Sequence, residues 1–210
     1  MTTTDAPTPE RLLMAAEHLF ATRGIDGVSL AEITTTAGGH NTGAIHHHFG
    51  GREELLAAIV DEHRGRLDVE RRARLDRIDG GDEPTASALV RALVLPMVEL
   101  LDDPRGRAFL SIQAQRALRP RPPDRTPRPV VQEVMRLEGH PGGRPPLGAF
   151  LADLAELTAV SALAQRARME EAQGREAGLG RDEFTRQLLA ALTRIVVPAE
   201  PTGPAQEPRP

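Results

Sequence analysis

The residues best equipped for chemistry are gathered between positions 40 and 49, where His40, Asn41, Thr42, Gly43, Ala44, Ile45, His46, His47, His48 and Phe49 follow one another. Asn41 can bond adenine with both ends of its amide, and the methyl group of Ala44 can meet the thymine methyl group. Histidine rings can donate to phosphate oxygens, and the Arg52 guanidinium can bind phosphate bidentately. A metal site is the other chemistry that three successive histidines suggest. Adjacent residues on a helix do not face one another, so His46, His47 and His48 are poorly placed to chelate one ion. His40 or His63 would have to join them, and no spacing resembles HExxH. His18 and His63 read as surface or boundary residues.

Such side chains work only if short helices present them. Thr8 and Pro9 look like an N-cap and first helical residue, and Leu12, Ala16, Leu19 and Phe20 give one apolar face that ends at Gly24. Ser29 and Glu32 have capping-box spacing, with Ile33 and Ala37 continuing that helix to Gly38 and Gly39. A third segment runs from about 41 to 49, with Ile45 and Phe49 inward. At 1.5 Å per residue it is ~12 Å long, which suits a major groove ~12 Å wide. The three segments form a helix-turn-helix candidate, followed by a longer amphipathic helix from Arg52.

The stretch Ile33 to Leu56, ITTTAGGHNTGAIHHHFGGREELL, resembles the helix-turn-helix of the tetracycline-repressor (TetR) family of transcriptional regulators. The resemblance rests on Ile33, Ala37-Gly38, Gly43-Ala44-Ile45, the His-rich run ending at Phe49, and Arg52-Glu53-Glu54-Leu55, with Leu19-Phe20, Gly24 and Val28-Ser29-Leu30 upstream. It covers about 45 residues and departs from the family pattern at Thr34, Gly39, His40 and His46. The resemblance implies DNA contacts from Ser29, His40, Asn41, Thr42, Gly43 and Ala44, and phosphate contacts from His46, His47, His48 and Arg52. It also implies a homodimer on a palindromic double-stranded operator, and an unknown small-molecule effector.

Charge tempers the DNA reading. Residues 1–52 carry three arginines against five carboxylates, a net charge of −2. Modest nonspecific affinity is expected, helped by histidine protonation below about pH 6.5. The arginines between 64 and 77 alternate with carboxylates and read as a solvated helix face. Seven arginines between 105 and 128 face Asp124 alone; they could touch DNA or an acidic partner, and are read foremost as a surface loop.

Behind the head, 53–198 reads as a helical ligand-binding and dimerisation body, and 199–210 as a disordered tail. Long helices are expected at 85–101 (kinked at Pro96), 104–118, 147–172 and 182–197, with a short one at 130–137 and a polyproline-like loop at 119–129. The fold expected is all-α, with about nine helices. Leu154, Leu157, Val160 and Leu163, with Phe184, Leu188, Leu192 and Ile195, form apolar faces suited to a dimer interface or to the monomer core. Leu93, Met97, Phe109, Ile112, Met135, Phe150 and Leu151, with Gln113 and Arg116, describe equally a ligand pocket and a solid core.

Composition closes off other classes. The chain has 210 residues and no cysteine, so thiolate metal sites and cysteine nucleophiles are absent. Its 26 basic residues are all arginine, which removes Walker loops and Schiff-base chemistry. Aromatics make up 2%, too few for stacking platforms, and the net charge of −4 gives no global basic field. No nucleophile–base pair points to an enzyme, and no cofactor loop is visible. No signal peptide or bilayer-spanning run is visible either, so a cytoplasmic protein without membrane contact is expected. The competing readings are an all-α interaction module that has lost DNA binding and a metal-dependent protein using the His cluster.

Overall fold

A computed structural model describes residues 8–79, 85–119, 145–175 and 178–196. Among these it has eight α-helices and no strand: α1 (Pro9–Arg23), α2 (Leu30–Thr36), α3 (Gly43–Phe49), α4 (Arg52–Asp79), α5 (Ala86–Glu99), α6 (Pro104–Ala117), α7 (Pro145–Gln173) and α8 (Arg181–Val196). A single 3-10 turn, Leu100–Asp102, joins α5 to α6. No helix among the described residues is long and apolar enough to cross a membrane. The segments expected at 119–129, 130–137 and 199–210 lie wholly or almost wholly outside the described residues.

Local signals set most boundaries. Thr8 caps α1, accepting from the Arg11 backbone N–H, and Gly24 ends it at φ 88°. The capping box forms: the Ser29 hydroxyl accepts from the Glu32 backbone N–H at 3.2 Å, and the Glu32 carboxylate accepts from the Ser29 backbone N–H at 2.7 Å. Asp103 caps α6 through the Gly106 N–H at 2.9 Å. The helix α5 continues through Pro96 to Glu99. The third helix starts at Gly43 rather than near 41, because the Asn41 side chain accepts from the Gly43 N–H at 2.8 Å and holds the chain in a turn.

Among the described residues a large core threads the helices, with a smaller cluster of Leu75, Leu89 and Ala92 beside it. Leu12, Phe20, Ile33, Ile45 and Leu55 pack within the large core around the first helices, and it continues through Ile59, Phe109 and Ile112 to Leu163 and Leu192. Inside it lies a polar junction of three helices. Glu17 on α1 and His63 on α4 are each 2% exposed, and the His63 Nε2 lies 2.6 Å from Glu17 Oε1. The His63 ring stacks on Phe109 of α6, centroid to centroid 4.5 Å. Arg105 of α6 donates to Glu17 at 2.7 Å and, through both terminal nitrogens, to Glu62 of α4 at 3.0 and 3.2 Å. Those hydrogen bonds from Arg105 hold the Glu62 carboxyl below the usual carboxylate range, although partial burial works against them. His63 is therefore a core residue, not a boundary one; its partner lies 46 positions away, beyond any local pattern.

The charged run on α4 also departs from a purely solvated face. Arg71 is buried and donates to the Leu93 carbonyl of α5 at 3.0 Å, while Arg74 bridges Glu70 and Glu99 at 2.9 and 2.6 Å. Of the arginines expected in a surface loop after 105, the four among the described residues have partners: Arg105 as above, Arg107 with Glu171, Arg116 with Gln113, and Arg119 with Asp26.

At the far end, Glu170 of α7 accepts from Arg166 at 2.6 Å and pairs with Arg181 of α8, which also reaches Asp102 at 2.7 Å. Burial pushes the Glu170 carboxyl up, but the bonds from Arg181 and Arg166 outweigh it, and the net direction is down.

Two predictions follow from these buried groups. Glu17→Ala strands His63 in the core and removes one acceptor of Arg105; a loss of about 3 kcal/mol is expected, and an unfolding free energy from urea titration within about 1 kcal/mol of wild type would contradict the role given to Glu17. Glu170 is lowered in the folded state, so its contribution is present above the unfolded carboxyl value and lost as pH falls through the folded one. Glu170→Gln is expected to be less stable than wild type at pH 7, with the gap closing towards pH 3; a gap independent of pH would remove the charge from the explanation.

Candidate nucleic-acid interface

The turn between α2 and α3 is built by glycine. The Gly38 N–H bonds the Thr35 carbonyl and the Gly39 N–H bonds that of Thr34, at 2.9 and 2.8 Å. This pairing, with Gly38 at φ 82°, is a Schellman stop. It turns the chain sharply enough for α3 to cross α2 as a separate short rod.

Ile45, fully buried, and the half-buried Phe49 anchor that rod. The other sides are presented outward. His40, Asn41, Gly43, His46, His47 and His48 are exposed, and Thr42 is half-exposed. Seven residues at 1.5 Å each give α3 a length of ~10 Å, which fits the ~12 Å major groove. The Asn41 oxygen holds the turn, and its NH2 has no partner among the described residues. His46 Nδ1 lies 3.1 Å from the Gly50 carbonyl, which orients that ring. The rings of His47 and His48 meet edge to face at 4.9 Å. Among the described residues no cluster of His, Cys, Asp or Glu is arranged to hold a metal ion.

Three residues expected at DNA are occupied otherwise. Ala44 is half-buried against the core. The hydroxyl of Ser29 belongs to the capping box, where it also donates to Glu32 at 2.8 Å. Together with the Ser29 backbone N–H and Arg23 at 2.8 Å, it holds the Glu32 carboxyl below its ordinary range. Arg52 turns inward: its two terminal nitrogens donate to the carbonyls of Ile25, at 2.8 Å, and Val28, and its guanidinium sits 5.9 Å over the Phe20 ring. It clamps the loop from α1 to α2 rather than facing solvent with the histidines. Sequence spacing did not single out Arg11, whose guanidinium lies against Gly38 in the turn.

In the body, Phe109, Ile112, Met97 and Gln113 are buried, and Leu93, Arg116 and Leu151 half-buried. Phe109 packs on His63 in the junction, and Gln113 accepts from Arg116 at 2.9 Å. Met135 and the side chain of Phe150 lie outside the described residues. On α7 and α8, Val160, Leu163, Leu188 and Leu192 are 0–6% exposed and belong to the core of a single chain, which corrects their placement at an interface. Leu154, Leu157, Phe184 and Ile195 retain accessible surface.

Residues 12–59 match the family model for bacterial regulatory proteins of the tetR family. None of the curated proteins matches the chain. Among solved structures, the chain is similar to one described as the molecular basis for control of antibiotic production by bacterial hormones, at 22% identity over 88% of this chain and 94% of that one, TM-score 0.48. It is similar to a TetR-family regulator from Streptomyces coelicolor A3, at 23% identity over 92% and 96%, TM-score 0.47. It is also similar to a gamma-butyrolactone receptor (ArpA-like protein), at 23% identity over 88% and 96%, TM-score 0.45. The helix-turn-helix with its outward face lies within the matched residues, so it is this N-terminal segment that matches the tetR-family model.

Proposed function

We propose that the protein is a homodimeric repressor that binds a palindromic operator and is released from it by a small apolar or amphipathic ligand. The observation that carries the DNA-reading part is α3 itself, a rod of groove width fixed by Ile45 and Phe49 with Asn41, Thr42 and the histidines outward. In this reading Asn41 and Thr42 read base edges, and His46, His47 and His48 meet phosphates. Residues 1–52 form the DNA-binding head, and 53–198 the body.

A two-fold operator calls for two heads one helical turn apart. The accessible Leu154, Leu157, Phe184 and Ile195 give α7 and α8 an apolar surface for a second copy. A ligand would lodge between α5, α6 and α7, near Leu93, Met97, Ile112 and Leu151, with Gln113 and Arg116 as its polar contacts. The same α6 grips the head: Gln115 donates to the Phe20 carbonyl at 3.0 Å and accepts from the Ile25 N–H at 2.8 Å. A ligand that favours another position of α6 would therefore favour another position of the head.

The test is binding of the full chain to the intergenic duplex upstream of its own gene, set against a scrambled duplex. Two chains per specific duplex are expected. The double variant Asn41→Ala, Thr42→Ala is expected to lose roughly ten- to a hundredfold of the discrimination, about 1–3 kcal/mol; unchanged discrimination would place the reading helix elsewhere. Arg52→Ala separates clamp from phosphate contact. With no DNA present it is expected to lose about 2 kcal/mol of stability. A variant as stable as wild type but weaker on DNA would return Arg52 to the phosphate backbone.

A further inference from the structure

The head has three arginines, and their partners divide them. Arg23 pairs with Glu32 at 2.8 Å. Arg52 is directed into the head, donating to the carbonyls of Ile25 and Val28. Arg11, in the first turn of α1, has no carboxylate or carbonyl partner for its guanidinium among the described residues, and the residue is exposed. The guanidinium lies against Gly38, and a methyl group at position 38 would overlap it. Gly38 is constrained by its positive φ, and the tip of the Arg11 side chain lies beside it.

That space is the turn leading into α3. When a helix enters the major groove, the phosphate strands bordering the groove pass over the elements beside it, and in a helix-turn-helix the first helix crosses the backbone. A cation seated on the turn between the two helices stands on that side of the head. The neighbouring carboxylate, Glu10, is engaged by its own backbone N–H and the Thr8 hydroxyl, with His48 nearby.

Resting on the DNA-binding reading, we propose that Arg11 is a phosphate anchor of the head: its exposed guanidinium, beside Gly38 in the turn, takes a backbone phosphate beside the groove that α3 enters. It is a positioning residue that carries no sequence information, because phosphate contacts set register and orientation rather than specificity. It also resolves how a head of net charge −2 holds DNA: one permanently charged group placed at the turn does what the overall field does not.

The experiment measures binding of the full chain to a mixed-sequence duplex about three helical turns long, across a salt series, for wild type, Arg11→Gln and Arg11→Lys. A guanidinium that neutralises one phosphate contributes about 0.9 to the slope of log affinity against log salt. Arg11→Gln is expected to lower that slope by about one per head and to weaken binding by roughly tenfold per head at low salt. It should do so equally on specific and scrambled duplexes, with no change in melting temperature. Arg11→Lys is expected to retain the slope. A wild-type slope in Arg11→Gln overturns the anchor and leaves DNA binding standing. Loss of slope in Arg11→Lys as well, with a lowered melting temperature, assigns Arg11 a structural role and also overturns it. Wild-type binding without salt dependence overturns the anchor together with the DNA-binding reading.

Discussion

A carboxylate removed from water costs several kcal/mol unless charge and hydrogen bonds meet both its oxygens. Glu17 meets that condition only because three helices agree on one geometry: α1 brings the carboxylate, α4 brings His63, and α6 brings Arg105 and the Phe109 ring on which His63 stacks. Apolar side chains tolerate small slides of one helix past another. A carboxylate with one oxygen on an imidazole at 2.6 Å and the other on a guanidinium at 2.7 Å does not. The first helix of the head is thereby indexed to the body, and the outward pose of α3 depends on that indexing, because α3 packs on α1 and α4 through Ile45 and Phe49.

The electrostatics of the head follow from the same economy of groups. Its cations are few, and most serve the fold. Arg52 replaces missing hydrogen-bond donors in the loop from α1 to α2, and Arg23 neutralises the Glu32 of the capping box. A weak field makes association less steered from a distance. It leaves DNA contact to groups fixed near the groove, so the precision of the turn at Gly38 weighs more here than it would in a strongly basic head.

What was legible in the sequence was what closes within a few residues. The capping box of Ser29 and Glu32 joins positions three apart, the Schellman stop at Gly38 spans five, and the Thr8-Pro9 and Asp103-Pro104 starts are local as well. These gave the helices and the helix-turn-helix nearly to the residue. The misplacements concern polar side chains whose partners are remote. Arg52 finds carbonyls 24 and 27 positions earlier, His63 a carboxylate 46 earlier, and Arg71 a carbonyl 22 later. Nothing in the spacing around an arginine says whether it will face solvent or a distant carbonyl. Apolar patterns carry a related ambiguity: Val160, Leu163, Leu188 and Leu192 have the periodicity of an interface, but their burial within one chain is decided by which helix packs opposite.

The helix α6 is where these threads meet, and its sequence explains why. Along one side it sets Arg105, Phe109, Ile112 and Gln113 towards the core, and along another Ser111 and Gln115 towards the end of α1, with Arg119 just past its end pairing with Asp26. Gln115 braces the end of α1 by donating to the Phe20 carbonyl, which also accepts from the Gly24 N–H, and by accepting from the Ile25 N–H, a double role that suits a side-chain amide. A carboxylate there could not donate to the carbonyl, and an ammonium could not accept from the N–H. The head is thus fastened to α6 at both ends of that helix, by charge at Arg105 and by neutral amide at Gln115. A shift of α6 along its axis would have to break contacts at one end or carry α1 with it. Carrying α1 would in turn break the bond between Glu17 and His63 of α4, so the three helices hold one another in register.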